Sequence, residues 1–318
     1  MTAPLPHPTS ASSAPLGKED LAAEISAQLS TQLRRVRLRG FRHPAPPAPT
    51  LVAVAHGSRD PRALPTVRAL LDRVRALRPG LPVRLGHIEL NRPLLADTLA
   101  ELHGAAVLVP LLFGRGHHVT HDLPAALAAA PHLTGRTAEP LGPHTLLAEA
   151  LHGRLLEAGF PGDRSPRTAV VLAAAGSRAP RSAQDTERTA QLLSARLGGT
   201  PVVPAYASAL PSPATTPARD APRRPSRIAP TVADAVRELT ARGHDRIAVA
   251  GCFTAPGRFA AQCAAAAPGP AAAPLGDHPA LARLVLHRYD QALLRCDQAL
   301  LARTGSDPES AGAATVAV

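Results

Sequence analysis

The turn Ala55-His56-Gly57-Ser58-Arg59 returns 119 residues later as Ala174-Ala175-Gly176-Ser177-Arg178, and each copy ends an unbroken apolar run. A short apolar run closed by a glycine turn is the pattern of a strand buried on both faces, as in a parallel sheet covered by helices. Two such runs, followed by further matching segments in the same order, predict two sheets of one kind in tandem. The segment Ala96–Leu102 corresponds to Ala233–Leu239, and Pro140-Leu141-Gly142-Pro143-His144 to Pro274-Leu275-Gly276-Asp277-His278, at offsets of 137 and 134 residues. Most of the increase in offset falls in the Pro-, Arg- and Ser-rich stretch Pro211 to Pro230. That stretch reads as a mobile surface insertion in the second copy, about 209–230.

Within the first copy, strands are expected near 50–55, 82–88, 105–112 and 136–140, and helices near 62–77, 93–103, 119–130 and 145–158. Strand and helix in alternation imply an α/β fold with a parallel sheet covered on both faces. The chain then divides into an extension over 1–48, a first lobe over 49–162, a degenerate second lobe over 167–304 and a tail over 305–318. The tail is expected to be disordered. The extension is expected to be disordered or partly helical, since Leu21, Ile25, Leu29 and Leu33 fall at helical spacing.

The net charge of +11 comes almost wholly from arginine, with Lys18 the one lysine of the chain. The arginines are dispersed, without a basic helix carrying interleaved aromatics and without zinc-finger spacing, so no nucleic-acid partner is expected. A basic surface also suits a small polyanion. Cys252, Cys263 and Cys296 form no CxxC pair, which points to reduced thiols and a cytoplasmic protein. No apolar run approaches the roughly 20 residues of a membrane span, and no signal-peptide core is expected at the start of the chain. Neither a Walker A motif nor a G-x-G-x-x-G fingerprint occurs, so no nucleotide is expected.

The chemistry is expected at strand ends. In open α/β sheets, ligands bind outside the carboxyl ends of the strands. His56 ends the first run, Glu89 follows the second in Gly86-His87-Ile88-Glu89, and His118 follows the third in Gly114-Arg115-Gly116-His117-His118. Singly, such residues are most often structural; three together, each at a strand end, are informative. Two imidazoles and one carboxylate suit a first-row divalent metal and leave coordination positions open. The second copy lacks all three: Ala175 stands for His56, Phe259 for His118, and Glu89 has no counterpart. One active site, carried by the first lobe, is therefore expected, with the second lobe as a wall, lid or packing partner. His117 reads as a flanking side chain and His121 as solvated, while His144 and His278, present in both copies, read as helix-start residues. Ser58 is expected to bond the backbone at the following helix start rather than act as a nucleophile, and its turn is suited to hold an anion.

These residues resemble the class II tetrapyrrole chelatases. The resemblance lies in His-Gly-Ser-Arg at 56–59, Glu-Leu-x-Arg-Pro-Leu-Leu at 89–95, Gly-x-His-Val-x-x-Asp-Leu-Pro at 116–124 and Pro-Leu-Gly-Pro-His at 140–144. It is greatest for the sirohydrochlorin chelatase family, and specifically for its longer, duplicated members. The resemblance implies two flavodoxin-like lobes facing each other across a cleft, and insertion of Fe²⁺ or Co²⁺ into sirohydrochlorin without ATP. The metal is a substrate, and His56, His118 and Glu89 are its implied ligands and the catalytic groups. Arg59, Arg92 and Arg115, with Ser58, are the candidates for binding the polycarboxylate macrocycle. Nickel insertion and a non-catalytic metal or tetrapyrrole carrier are the alternatives. The sequence leaves iron against cobalt open, and monomer against homodimer.

Overall fold

The structure is a computed structural model that describes residues 48–162, 165–207 and 230–304. The expected extension, insertion and tail lie outside the described residues, but for residues 48 and 230 at their borders.

The first sheet is built on β1 (Thr50–Ala55), whose residues from Leu51 onward are almost wholly buried. Alternation along the strand sends Val52 and Val54 to one face, against Leu95, Leu99 and Leu123. Leu51, Ala53 and Ala55 go to the other, against Val67, Leu70 and Val74 of helix α1 (Ala63–Leu77). With β2 (Val83–His87), β3 (Gly104–Pro110) and β4 (Leu133–Thr137) the order is β2-β1-β3-β4, all parallel. This is the flavodoxin-like order, in which the chain reverses direction across the sheet between β1 and β3. Helices α2 (Leu95–Ala100), α3 (Leu123–Ala128) and α4 (Thr145–Glu157) complete this segment.

The second segment repeats the plan with β5 (Thr168–Ala174), α5 (Pro180–Arg196), β6 (Val202–Tyr206), α6 (Val232–Ala241), β7 (Arg246–Gly251), α7 (Arg258–Ala265) and α8 (Pro279–Thr304). Its order is β6-β5-β7, again parallel, and a single bridge between Val249 and Ala271 stands where a fourth strand would pair. The tandem α/β expectation is met.

Three element bounds differ from the sequence reading. The fourth strand lies at 133–137 rather than 136–140, because its ladder with β3 starts with Gly104 opposite Leu133. The helix expected over 93–103 is confined to 95–100. The helix expected over 119–130 is split: His118–Asp122 form a wide π-helical turn, in which the Leu123 N–H reaches back to the His118 carbonyl, and α3 follows. Pro124 has no N–H with which to continue a regular ladder through this point.

The last helix of each segment crosses to the other sheet. Helix α8 packs on β3, and α4 packs against β7. Arg288 of α8 donates to the carbonyls of Leu141 and Pro143, Tyr289 donates to Pro49 at 2.6 Å, and Arg78 clasps Asp290 through two bonds of 2.6 and 2.8 Å. In the reverse sense, Arg154 of α4 donates to the Leu275 carbonyl through Nε and Nη2. The two recurring histidines begin these helices. His144 Nδ1 accepts the Leu146 N–H and His278 Nδ1 accepts the Ala280 N–H, both at 3.1 Å. His144 then packs on His287 of α8, and His278 sits over Gly153 of α4, where a Cβ would overlap its ring. One continuous apolar core therefore runs between the sheets, drawing on α1, α4, α5 and α8 together.

Candidate functional site

The carboxyl ends of β1, β2 and β3 meet at the reversal point. The β2 chain is stitched to β1 past its end, with Ile88 N donating to Ala55 O at 2.9 Å and Glu89 N to His56 O at 3.0 Å. This close approach requires Gly57. Its φ is +107°, and a Cβ there would lie 1.9 Å from the Glu89 carbonyl oxygen. The Asn91 side chain closes the stitch by accepting the Ser58 N–H at 2.6 Å. Between them Leu90 holds a φ of +68° and is 52% exposed. Left-handed backbone in a bulky residue is strained and is retained where the surroundings impose it.

His56 Nδ1 lies 3.5 Å from Glu89 Oε1. The His56 and His118 rings meet edge to face, with centroids 4.8 Å apart. The three side chains expected to act together are thus neighbours, although they lie 62 residues apart at the extremes. The π-helical turn brings Asp122 onto His118, whose Nδ1–H donates to Asp122 Oδ2 at 2.6 Å. A carboxylate on one imidazole nitrogen fixes the tautomer and leaves the other nitrogen as a lone-pair donor, the usual arrangement behind a ligating histidine. Among the described residues no three His, Cys, Asp or Glu side chains have their donors already converged on one point. His117 and His121 stack on each other beside this cluster, with centroids 4.5 Å apart, and His117 Nε2 lies 3.6 Å from Asp122 Oδ1. The sequence analysis does not single out Asp122 as a functional residue; its i+4 spacing from His118 is the signal that points to it.

These residues open into a cavity of about 1290 Å³ lined by both lobes. It exceeds the roughly 300–1,000 Å³ of common small-molecule sites. Three of the chain's five phenylalanines, Phe113, Phe253 and Phe259, line it. Arg59 and Ser58 line it as well. Ser58 does not cap the helix that follows, which starts at Ala63 without a side-chain cap; its Oγ accepts the Asp60 N–H within the turn at 3.1 Å and donates to Pro256 O across the lobes at 3.2 Å. Cys252 is on the cavity wall, but burial pushes its thiol up to about 12, so it stands as a neutral thiol. His87, under Glu89, is held below the usual histidine range by burial and bonds the Pro93 carbonyl.

Arg92 and Arg115, the other two expected carboxylate binders, are placed outside the cavity lining. Arg92 extends into solvent and pairs with Asp97 at 2.5 Å. Arg115 turns toward the second lobe, where Asp185 accepts from its backbone N, Nε and Nη2 at 2.9, 3.0 and 2.5 Å. Asp185 is only 2% exposed, and this bond raises the Arg115 pKa further. A buried carboxylate needs such a partner, and that demand takes Arg115 from the cleft. Nothing in the sequence marked Asp185, because its partner is 70 residues away.

The CbiX family profile matches residues 50–158. A sirohydrochlorin cobaltochelatase from Methanococcoides burtonii is 28% identical over 123 residues, covering 34% of this chain and 94% of that protein. One from Methanosarcina barkeri is likewise 28% identical, over 95% of its length. Nearly the whole of each relative thus corresponds to one lobe of this chain. Among solved structures, the sirohydrochlorin chelatase SirB from Bacillus subtilis subspecies spizizenii, in complex with cobalt, aligns over 76% of this chain and 94% of its own. Its TM-score is 0.56 at 19% identity. CbiX, described as the terminal enzyme for biosynthesis of siroheme in denitrifying bacteria, aligns over 76% and 99% with a TM-score of 0.54 at 22% identity. The fold likeness extends over both sheets, and residues 50–158, within the first lobe, are similar in sequence to the CbiX family and to these cobaltochelatases.

Proposed function

We propose that this protein inserts a divalent metal into sirohydrochlorin, with Co²⁺ or Fe²⁺ as the second substrate and no nucleotide required. The observation that carries this reading is that His56 lies beside both Glu89 and His118 at one large cavity with aromatic and cationic walls. The similar proteins are cobaltochelatases, and Co²⁺ is our first choice.

The reaction exchanges two pyrrole N–H protons for one M²⁺. His118, with Nδ1 held by Asp122, presents Nε2 to the incoming ion. His56 and Glu89 complete a hard-to-borderline donor set suited to Co²⁺ or Fe²⁺. As the ion passes to the macrocycle, His56 takes the two pyrrole protons one after the other, and Glu89, half exposed, passes each in turn to water. Phe113, Phe253 and Phe259 offer apolar faces to the conjugated ring, and Arg59 with Ser58 offers contacts to its carboxylates. Both walls of the cavity come from one chain, which supports a monomer as a complete unit. Among the described residues no helix is long and apolar enough to cross a membrane.

The test is multiple turnover of sirohydrochlorin with Co²⁺ or Fe²⁺ in the absence of nucleotide, followed by absorbance. His56→Ala and His118→Ala are each expected to lower kcat by about 10²-fold or more, the scale of a lost acid-base group. Stoichiometric binding without turnover would establish a carrier instead, and full activity in the double variant would end the proposal.

A further inference from the structure

The repeat lost its histidines in the second lobe but kept an arginine. Arg178 ends Gly176-Ser177-Arg178 as Arg59 ends Gly57-Ser58-Arg59, and both arginines line the same cavity. The two turns are built alike. Ser177 Oγ accepts the Ala179 N–H at 3.2 Å as Ser58 Oγ accepts the Asp60 N–H. Each serine also lies against the glycine loop of the opposite lobe, Ser177 against Gly116 and Ser58 against Gly257. The next residue in that second loop, Arg258, occupies the place of His117 and also lines the cavity, with its guanidinium over the Phe259 ring at 4.8 Å.

The charges around these three arginines leave them available. No carboxylate pairs with Arg59, Arg178 or Arg258 among the described residues. Of the two acidic residues in the lining, Asp60 is taken by Arg62, at 2.7 Å, and Glu89 faces His56. One wall therefore holds the metal-binding chemistry, and both walls hold free guanidinium groups, that of Arg258 lying over an aromatic ring. That combination fits a flat apolar body with anionic groups on its rim.

We propose that Arg178 and Arg258 of the second lobe, opposite Arg59, bind carboxylates at the rim of the tetrapyrrole and so fix which face it turns to His56 and His118. This rests on the chelatase reading and assigns the second lobe a role in substrate recognition. The guanidinium groups are solvent-exposed in the open cleft, so each contact is expected to be worth roughly tenfold in affinity, the low end for a charge-assisted bond.

The experiment uses the full chain, metal-free sirohydrochlorin as the titrated probe, and Co²⁺ turnover in parallel. Arg178→Ala and Arg258→Ala are each expected to raise both Kd and KM about tenfold, with kcat within about twofold, and to flatten the salt dependence of KM. Arg178→Lys is expected to recover only part of the loss, because an ammonium cannot form the bidentate pair. Arg188→Ala, which removes an equal charge from the exposed face of α5 outside the cavity, is the control and is expected to leave KM unchanged. Wild-type turnover with Kd and KM unmoved in both alanine variants would overturn this inference and leave the chelatase reading intact. A wild-type protein that neither binds nor metallates sirohydrochlorin would overturn both.

Discussion

Replacing Asp185 with alanine tests how the first lobe's loop Gly114–His118 is held. The carboxylate is 2% exposed and accepts three bonds from Arg115, at 2.9, 3.0 and 2.5 Å. Bonds to a charged group contribute about 1.5–3 kcal/mol each, though not additively, and removing one partner of a fully buried ion pair costs about 3–5 kcal/mol. The Arg115 side chain is 38% exposed, so water recovers part of its loss, and we expect about 2–3 kcal/mol. For a body of this size that lowers Tm by roughly 5–10 °C. The loop Gly114–His118 also loses its anchor, so kcat should fall about tenfold while sirohydrochlorin binding changes less. Circular dichroism melts and steady-state turnover read the two effects. Asp185→Asn, which still accepts the Arg115 backbone N–H, should lose about half as much stability. A D185A protein melting within about 1 °C of wild type with unchanged kcat would refute the anchoring role.

Gly57→Ala places a methyl group on the Glu89 carbonyl at a positive φ; a loss of about 3 kcal/mol or more is expected in denaturant melts, together with reduced turnover. Asp122→Asn leaves a weaker partner on His118 Nδ1; a 10–100-fold loss of Co²⁺ affinity or of turnover is expected, as for other partners of ligating histidines. Burial holds His144 at about 4 against an ordinary 6.5, with Arg288 and His287 adding to the effect. Below pH 6.5 the unfolded chain takes up a proton that the folded chain refuses, so stability should fall between about pH 6.5 and 4 and level off beneath. His144→Asn, which keeps a cap acceptor, should remove about 1–2 kcal/mol of that fall, visible in melts across this window. Cleaving the chain genetically between residues 162 and 167 separates α4 from β7 and α8 from β3; each half alone is expected to expose apolar surface and bind a hydrophobic dye, and co-expression should restore a folded complex.

The sheets and the strand-end cluster were legible because their signals are local. Leu51–Ala55 is apolar throughout because parallel strands are covered on both faces, and His56, Glu89 and His118 stand out where such runs stop. The histidines shared by both copies were equally readable, and both proved to start helices. The split of the expected 119–130 helix was less so: Pro124 marked a break, but the way the π turn delivers Asp122 to His118 depends on backbone geometry that residue types do not encode.

What the sequence by itself determined is the repeated α/β plan, the apolar registers and the one-sidedness of the histidines, since each follows from the order of side chains along a strand or turn. The tertiary structure alone decided that α4 and α8 exchange sheets, that Arg115 is drawn away from the cleft by Asp185, and that Arg178 and Arg258 line it together with Arg59. These depend on groups 70 residues or more apart meeting in space. A buried carboxylate takes whichever cation the packing brings within reach, and no local pattern records which one that is.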